Sequence, residues 1–138
     1  MSAFVLILAA LASRIAALSG WFNFTATLTG FSGSPTQTTN RFAVVGRTCF
    51  FNILSISGTS SSTAFTVSLP ITAQQSASSS GRVTDNGTVQ ANPGRIDIVV
   101  GTDATVANVR LNWGGTAFTG SGTKALGGGV GTMLIYEI

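Results

Sequence analysis

Histidine is absent from this chain, and with it goes the side chain most often used as a general base near neutral pH and as a ligand to transition metals. Four carboxylates remain, Asp85, Asp97, Asp103 and Glu137. Nothing in their spacing brings two of them together as the flanking pair that glycoside hydrolysis needs. Asp85 sits in an Asp-Asn-Gly turn and is expected to bond its own backbone. Asp97 and Glu137 fall on the polar side of strands, as solvated charges or partners of an arginine, and Asp103 falls in a turn. Serine and threonine are plentiful, but none has an evident activating base. The one cysteine, Cys49, excludes an intrachain disulfide framework. Within Cys49-Phe50-Phe51 it reads as a small buried hydrophobe.

Charge is equally scarce, at 8% of residues. The net charge of +3 comes from Arg14, Arg41, Arg47, Arg82, Arg95, Arg110 and Lys124, spread singly along the chain. No basic patch follows, so no nucleic-acid partner is expected. Lys124 closes Gly120-Ser-Gly-Thr-Lys124, which approximates a phosphate loop. It fails on spacing, because that loop's lysine directly follows its second glycine and opens a helix, whereas Ala-Leu-Gly-Gly-Gly follows here. These shortages together predict a protein that is not an enzyme and uses neither cofactor nor metal.

What is present begins with an apolar stretch over residues 1–18. Met1, Leu8 and Ile15 are spaced seven apart, as are Phe4, Leu11 and Leu18, which places all six on one stripe of a helix. An isolated helix of this length is marginal in water, so the stripe asks for partner helices, and three strands is the preferred assembly. Residues 3–12 are apolar all round, Val5, Leu6 and Ile7 included, and a helix of that kind is normally buried all round. The expected picture is a stem over residues 1–20 whose tip docks into a larger bundle, a socket on another protein, or a membrane. The oligomerisation and docking residues are Phe4, Ile7, Leu8, Leu11, Ile15 and Leu18. A signal peptide would carry a basic leading region, which is missing. A membrane span needs about 20 apolar residues, and Arg14 interrupts this run early, so a membrane partner is not favoured.

Beyond Gly20 the period changes to two. Phe22, Phe24, Ala26 and Leu28 alternate with polar residues, as do Phe65, Val67 and Leu69; Ala107, Val109, Leu111 and Trp113; and Leu134, Tyr136 and Ile138. Gly46-Arg47 and Asn86-Gly87 are hairpin signals, and Asn92-Pro93-Gly94 is a further turn. Residues 74–81 read as a polar, Ser-rich loop. Gly127-Gly-Gly-Val-Gly131 reads as a bend where backbones approach closely. Eight or nine strands at this spacing predict one mainly β domain over residues 21–138, an antiparallel β-sandwich or jelly-roll-like knob on the N-terminal helical, coiled-coil stem.

Particular runs in the knob carry a resemblance. Trp21-Phe-Asn-Phe-Thr-Ala-Thr-Leu-Thr-Gly-Phe31, Arg41-Phe-Ala-Val-Val-Gly-Arg47, Ile56-Ser-Gly-Thr-Ser60, Phe65-Thr-Val-Ser-Leu-Pro70, Asp85-Asn-Gly87 and Gly131-Thr-Met-Leu-Ile-Tyr-Glu-Ile138 together resemble the C-terminal β-rich module of tailed-bacteriophage tail fibre, spike and head-fibre proteins. That module follows a helical stem, to which Ala12-Ser-Arg-Ile-Ala-Ala-Leu18 is similar. The resemblance implies a homotrimeric virion surface protein, assembled in the host cytoplasm and attached to a capsid or tail protein, with a host-surface glycan as a further partner. Those fibres carry long shafts and a separate attachment region. Here the stem opens at Met1, so its apolar tip is expected to be the attachment device. The competing expectation is a membrane-anchored or secreted carbohydrate-binding adhesin. Phe31 and Phe118 are the loop aromatics that would support it, and loops 57–62, 74–81 and 114–122 are expected on the exposed rims, where an inert solvated surface is preferred to glycan recognition.

Overall fold

A computed structural model describes residues 20–138 of the chain. The described residues form fourteen strands, paired antiparallel throughout, and no helix. In chain order the first are β1 (Phe22–Phe24), β2 (Leu28–Thr29), β3 (Thr36–Gln37), β4 (Asn40–Val45) and β5 (Thr48–Ile53). Next come β6 (Ile56–Thr59), β7 (Thr66–Ser68), β8 (Ala77–Gly81), β9 (Val83–Asp85) and β10 (Thr88–Val89). The last are β11 (Gly94–Val99), β12 (Asp103–Arg110), β13 (Thr123–Leu126) and β14 (Thr132–Glu137). They make three sheets, ordered β1-β4-β5-β14, β10-β9-β13-β6-β3 and β2-β7-β12-β11-β8. The chain is therefore mainly β, as its two-residue periodicity predicts. The stem, with Phe4, Ile7, Leu8, Leu11, Ile15 and Leu18, lies outside the described residues.

Alternation decides what each strand buries. On β5, Cys49, Phe51 and Ile53 point inward, and on β14 Thr132, Leu134 and Tyr136 do the same. One core receives side chains from all three sheets: Phe51 and Leu134 from the first, Ile56 and Leu126 from the second, Val67 and Ile96 from the third. Full burial of each such side chain contributes about 1.5–3 kcal/mol before entropy is charged against it. The short β1 is held by stacking as well as by its ladder. Phe22 and Phe24 lie 5.4 and 6.3 Å from Phe42, and Phe24 meets Phe51 edge-on at 5.7 Å.

Both hairpin signals form. Val45 pairs with Thr48 across Gly46-Arg47, and Asp85 pairs with Thr88 across Asn86-Gly87. Asn86 and Gly87 have φ of 46° and 76°, the double left-handed conformation of a type I′ turn. A Cβ at Gly87 would meet nothing within 4 Å, so a side chain there costs only backbone strain. Gly87→Val is expected to lose about 1–2 kcal/mol, read as a lower urea midpoint with an unchanged slope.

The structure has more strands than expected, and the Ser-rich segment shows why. The sequence predicts a loop at 74–81, but Ala77–Gly81 is β8, paired with β11 from Ala77↔Ile98 to Gly81↔Gly94. Its small side chains are a packing requirement. A Cβ on Gly81 would lie 2.5 Å from the Thr132 hydroxyl, and the Ser79 hydroxyl donates to the Met133 carbonyl at 2.6 Å. Through this contact the edge of the third sheet meets the edge of the first. Likewise 57–62 is not simply a loop, because β6 runs through it. Only 114–122 is free of strand. The close backbone approach expected at 127–131 is found: Gly127, at φ 92°, faces the Leu54 carbonyl where a Cβ would collide.

Candidate functional site

Lys124, the residue of the apparent phosphate loop, is fully buried on β13. Its ammonium donates to the carbonyls of Ala64 at 2.5 Å and Ser62 at 3.1 Å. Three rings surround it, with centroids 4.8 Å (Phe31), 5.6 Å (Phe65) and 5.9 Å (Phe118) away, and cations are drawn to such ring faces. Burial lowers its pKa, while the negative charge of Asp85 raises it in part. A buried cation already bonded to two carbonyls has no room for a phosphate. The failed spacing and the geometry agree.

Phe31 and Phe118 belong to this cage and both pack edge-on against Phe65; Phe118 is buried and Phe31 is partly buried. Asp85 departs from the expected turn contact. It is buried and accepts from the backbone N–H and the hydroxyl of Thr119, at 3.0 and 2.9 Å. That bond ties the 114–122 segment to β9.

The other three carboxylates have structural partners. Asp97 is buried against Arg95 at 3.0 Å, and Glu137 pairs with the exposed Arg47 at 3.0 Å. The Asp103 carboxylate accepts from the Thr105 hydroxyl and N–H at 2.6 and 2.8 Å, which lowers its pKa. Cys49 is a buried thiol, as its sequence context predicts, and burial raises its pKa. Among the described residues, no group of three His, Cys, Asp or Glu side chains could hold a metal ion, and no helix is long and apolar enough to cross a membrane.

Two surfaces stand out instead. The first is the outer face of the β1-β4-β5-β14 sheet. Cross-strand partners share a face, and the register Ala43↔Phe50↔Ile135 runs across it. Trp21, one residue before the Phe22↔Phe42 pair, continues that row on the β1 side. Met133 follows two residues from Ile135, and Val45 two from Ala43. Ile135 is 51% exposed, Trp21 49% and Val45 64%. The next rows on this face are mixed, Asn23↔Arg41↔Asn52↔Met133 and Val45↔Thr48↔Glu137, so the exposed apolar residues form a stripe bordered by polar ones.

The second surface is a groove at the end of the third sheet, where Asn92-Pro93 enters β11 and residues 111–116 leave β12. Its lining includes Asn92, Pro93, Asn112, Trp113, Gly114 and Thr116, around a volume of about 500 Å³. The alternation through Leu111 and Trp113 predicts that the strand continues to 113, but it stops at Arg110. A side-chain-locked turn takes over. The Asn112 side-chain oxygen accepts from the Thr116 N–H at 3.3 Å, its amide nitrogen donates to the Thr116 hydroxyl at 2.9 Å, and the Leu111 N–H donates to the Thr116 carbonyl at 2.9 Å. Trp113 is left 54% exposed on this turn. The signal that could have revealed it was Gly114-Gly115 directly behind the tryptophan, a turn marker that outweighs the alternation. A smaller hollow of about 170 Å³ between Thr38, Leu54, Ser55, Gly129 and Gly131 is lined by no ionisable residue.

No protein-family model, curated protein or solved structure matches this chain.

Proposed function

We propose that the chain is a non-enzymatic structural protein of a bacteriophage virion. In this reading it is a homotrimeric knob, its strands arranged as an antiparallel sandwich or jelly roll, on a helical stem that docks on a capsid or tail component. The observation that carries the proposal is the exposed apolar stripe on the outer face of the first sheet, which begins at Trp21, directly after the stretch whose heptad residues ask for partner helices. Helices that hold copies side by side would bring these faces together. A monomer leaves Trp21, Met133 and Ile135 about half exposed, and burying the remainder on assembly would contribute about 1 kcal/mol at each. The virion setting is supported by the resemblance of the quoted runs to fibre and spike modules.

Sedimentation of the full chain at micromolar concentration tests the reading. A trimer is expected, and a monomer would refute it. Leu11→Asp, Ile15→Asp and Leu18→Asp are each expected to dissociate the trimer, because each would bury an unpaired charge between helices. Ile135→Asp is expected to weaken it through the sheet face. Phe4→Asp and Ile7→Asp, nearer the apolar tip, are expected to spare the trimer and abolish incorporation into particles. Incorporation at the wild-type level would remove the docking role.

A further inference from the structure

We infer that the groove beside Trp113 is a binding site for a pyranose ring of a surface glycan. Trp113 is the reason. Its indole is more than half exposed, yet the backbone beneath it is fixed from two sides. Arg95 donates through Nη1 to the Trp113 carbonyl at 3.2 Å, and the same guanidinium is held by the buried Asp97 through Nε at 3.0 Å. On the other side Asn112 and Thr116 close the turn through the three bonds given above, with Gly115 at φ 83° where the chain reverses. An exposed ring on a mobile loop would have to be ordered at a cost when a ligand arrives. Here the ordering is already done by the fold.

The chemistry of the groove selects the ligand class. A pyranose presents polarised C–H groups on one face and hydroxyls around its rim. The indole face carries the negative side of its quadrupole and matches the C–H face. The exposed amide of Asn92 offers both a donor and an acceptor to the hydroxyls, as does the Thr116 hydroxyl. Pro93 and Gly114 keep the walls low in polarity. A groove of about 500 Å³ is within the range of small-molecule sites and accommodates one to two sugar rings. Arg95 is committed to Asp97 and the Trp113 carbonyl, so a phosphate or sulfate finds no free cation among the residues named here. The site goes beyond the proposed function and does not involve the apolar stripe of the first sheet or the stem.

The test uses the full-length protein on an array of bacterial-surface glycans, followed by calorimetry with chitotriose, maltotriose and the strongest array ligand. Trp21→Phe leaves Trp113 as the only tryptophan, and its fluorescence is expected to shift on binding. Trp113→Ala is expected to weaken the strongest interaction by about tenfold or more, with Trp113→Tyr retaining most of it, because tyrosine keeps a flat face. Asn92→Ala is expected to weaken it less. Thermal unfolding and sedimentation of the same variants should match wild type, since an exposed indole supports neither core nor trimer. The inference is overturned if no glycan binds the wild type more tightly than the Trp113→Ala variant. It is also overturned if that variant loses its oligomeric state, which would make the groove an assembly surface. A wild-type monomer that still binds glycan through Trp113 would sink the trimer and leave the site standing.

Discussion

Lys124→Ala is expected to destabilise the fold by about 3–5 kcal/mol, the range seen when one partner of a buried charged network is removed. Three losses coincide at this position. The carbonyls of Ser62 and Ala64 lose their donor, the cage of Phe31, Phe65 and Phe118 loses its occupant, and the buried Asp85 loses a compensating positive charge. For a domain of this size the change corresponds to a melting temperature lower by roughly 10–20 °C. Lys124→Met separates the contributions, since it refills the cage and leaves only the polar losses. It is expected to cost about 2 kcal/mol, near the penalty for leaving buried carbonyls unpaired. A Met variant as stable as wild type would mean that the ammonium contributes no net stability, and that packing of the stem of the side chain is what matters. Among the described residues no buried side-chain polar atom lacks a hydrogen-bond partner, so Lys124 belongs to a fully satisfied interior that either variant would break.

The burial of this lysine was not legible in the sequence. Gly120-Ser-Gly-Thr-Lys124 has the composition of a loop, and no window around it shows a two-residue period. The strand forms because β6 and β9 flank it on both sides and supply a full ladder, a long-range cause that local pattern does not carry. The same holds for β8, where five small residues look like a loop until β14 is seen packed against them. Strands whose buried residues recur at every second position between polar ones, β7 and the second half of β12, were legible because burial on one face leaves its period in the sequence. Both two-residue hairpins were legible for a different reason: positive φ at successive positions is a local steric demand that Asn-Gly meets and most dipeptides do not.

The two surfaces divide along the same line. The outer face of the first sheet is written in the sequence as apolar residues on both parities, Phe50-Phe51 and Met133 to Ile135, although that pattern alone does not say which parity faces the core. Trp113 was obscured because its parity continued that of Val109 and Leu111. Alternation past a strand's end is a coincidence that only the turn chemistry of Asn112 and Gly114-Gly115 could have exposed. Phe31 and Phe118, which loop position made attractive, pack instead around a cation that no local pattern places in the core.

Stability is expected to begin falling above pH 9 and to fall steeply only above 10.5, and the cause is a buried pair on the first sheet. Cys49 and Tyr136 are cross-strand partners, both buried, and burial raises the pKa of each above its ordinary value of 9.0 or 10.0. The Tyr136 hydroxyl also donates to the Ile71 carbonyl at 2.9 Å, a bond that fixes the proton in place. Both groups therefore stay protonated in the fold at pH values where the unfolded chain has ionised. Their contribution is fully present below 9.0 and is lost as pH rises, first through Cys49 and then, past 10.0, through Tyr136. Each contributes a slope of about 1.4 kcal/mol per pH unit once its unfolded form has titrated. Lys124 acts in the opposite sense. Its folded pKa is depressed below 10.5, so the unfolded chain holds the extra proton and stability rises with pH between the folded value and 10.5. The net loss is consequently shallow until Lys124 has titrated in both states, and steepens beyond 10.5. Urea titrations at half-unit steps from pH 8 to 11.5 measure this. Cys49→Ala should remove the early part of the decline, and Tyr136→Phe should flatten the later part at the expense of about 1 kcal/mol at neutral pH for the unpaired Ile71 carbonyl. Lys124→Met should make the decline between pH 9 and 10.5 steeper, because the one opposing group is gone. A wild-type profile that stays level to pH 11 would show that the buried thiol and phenol do not govern alkaline stability.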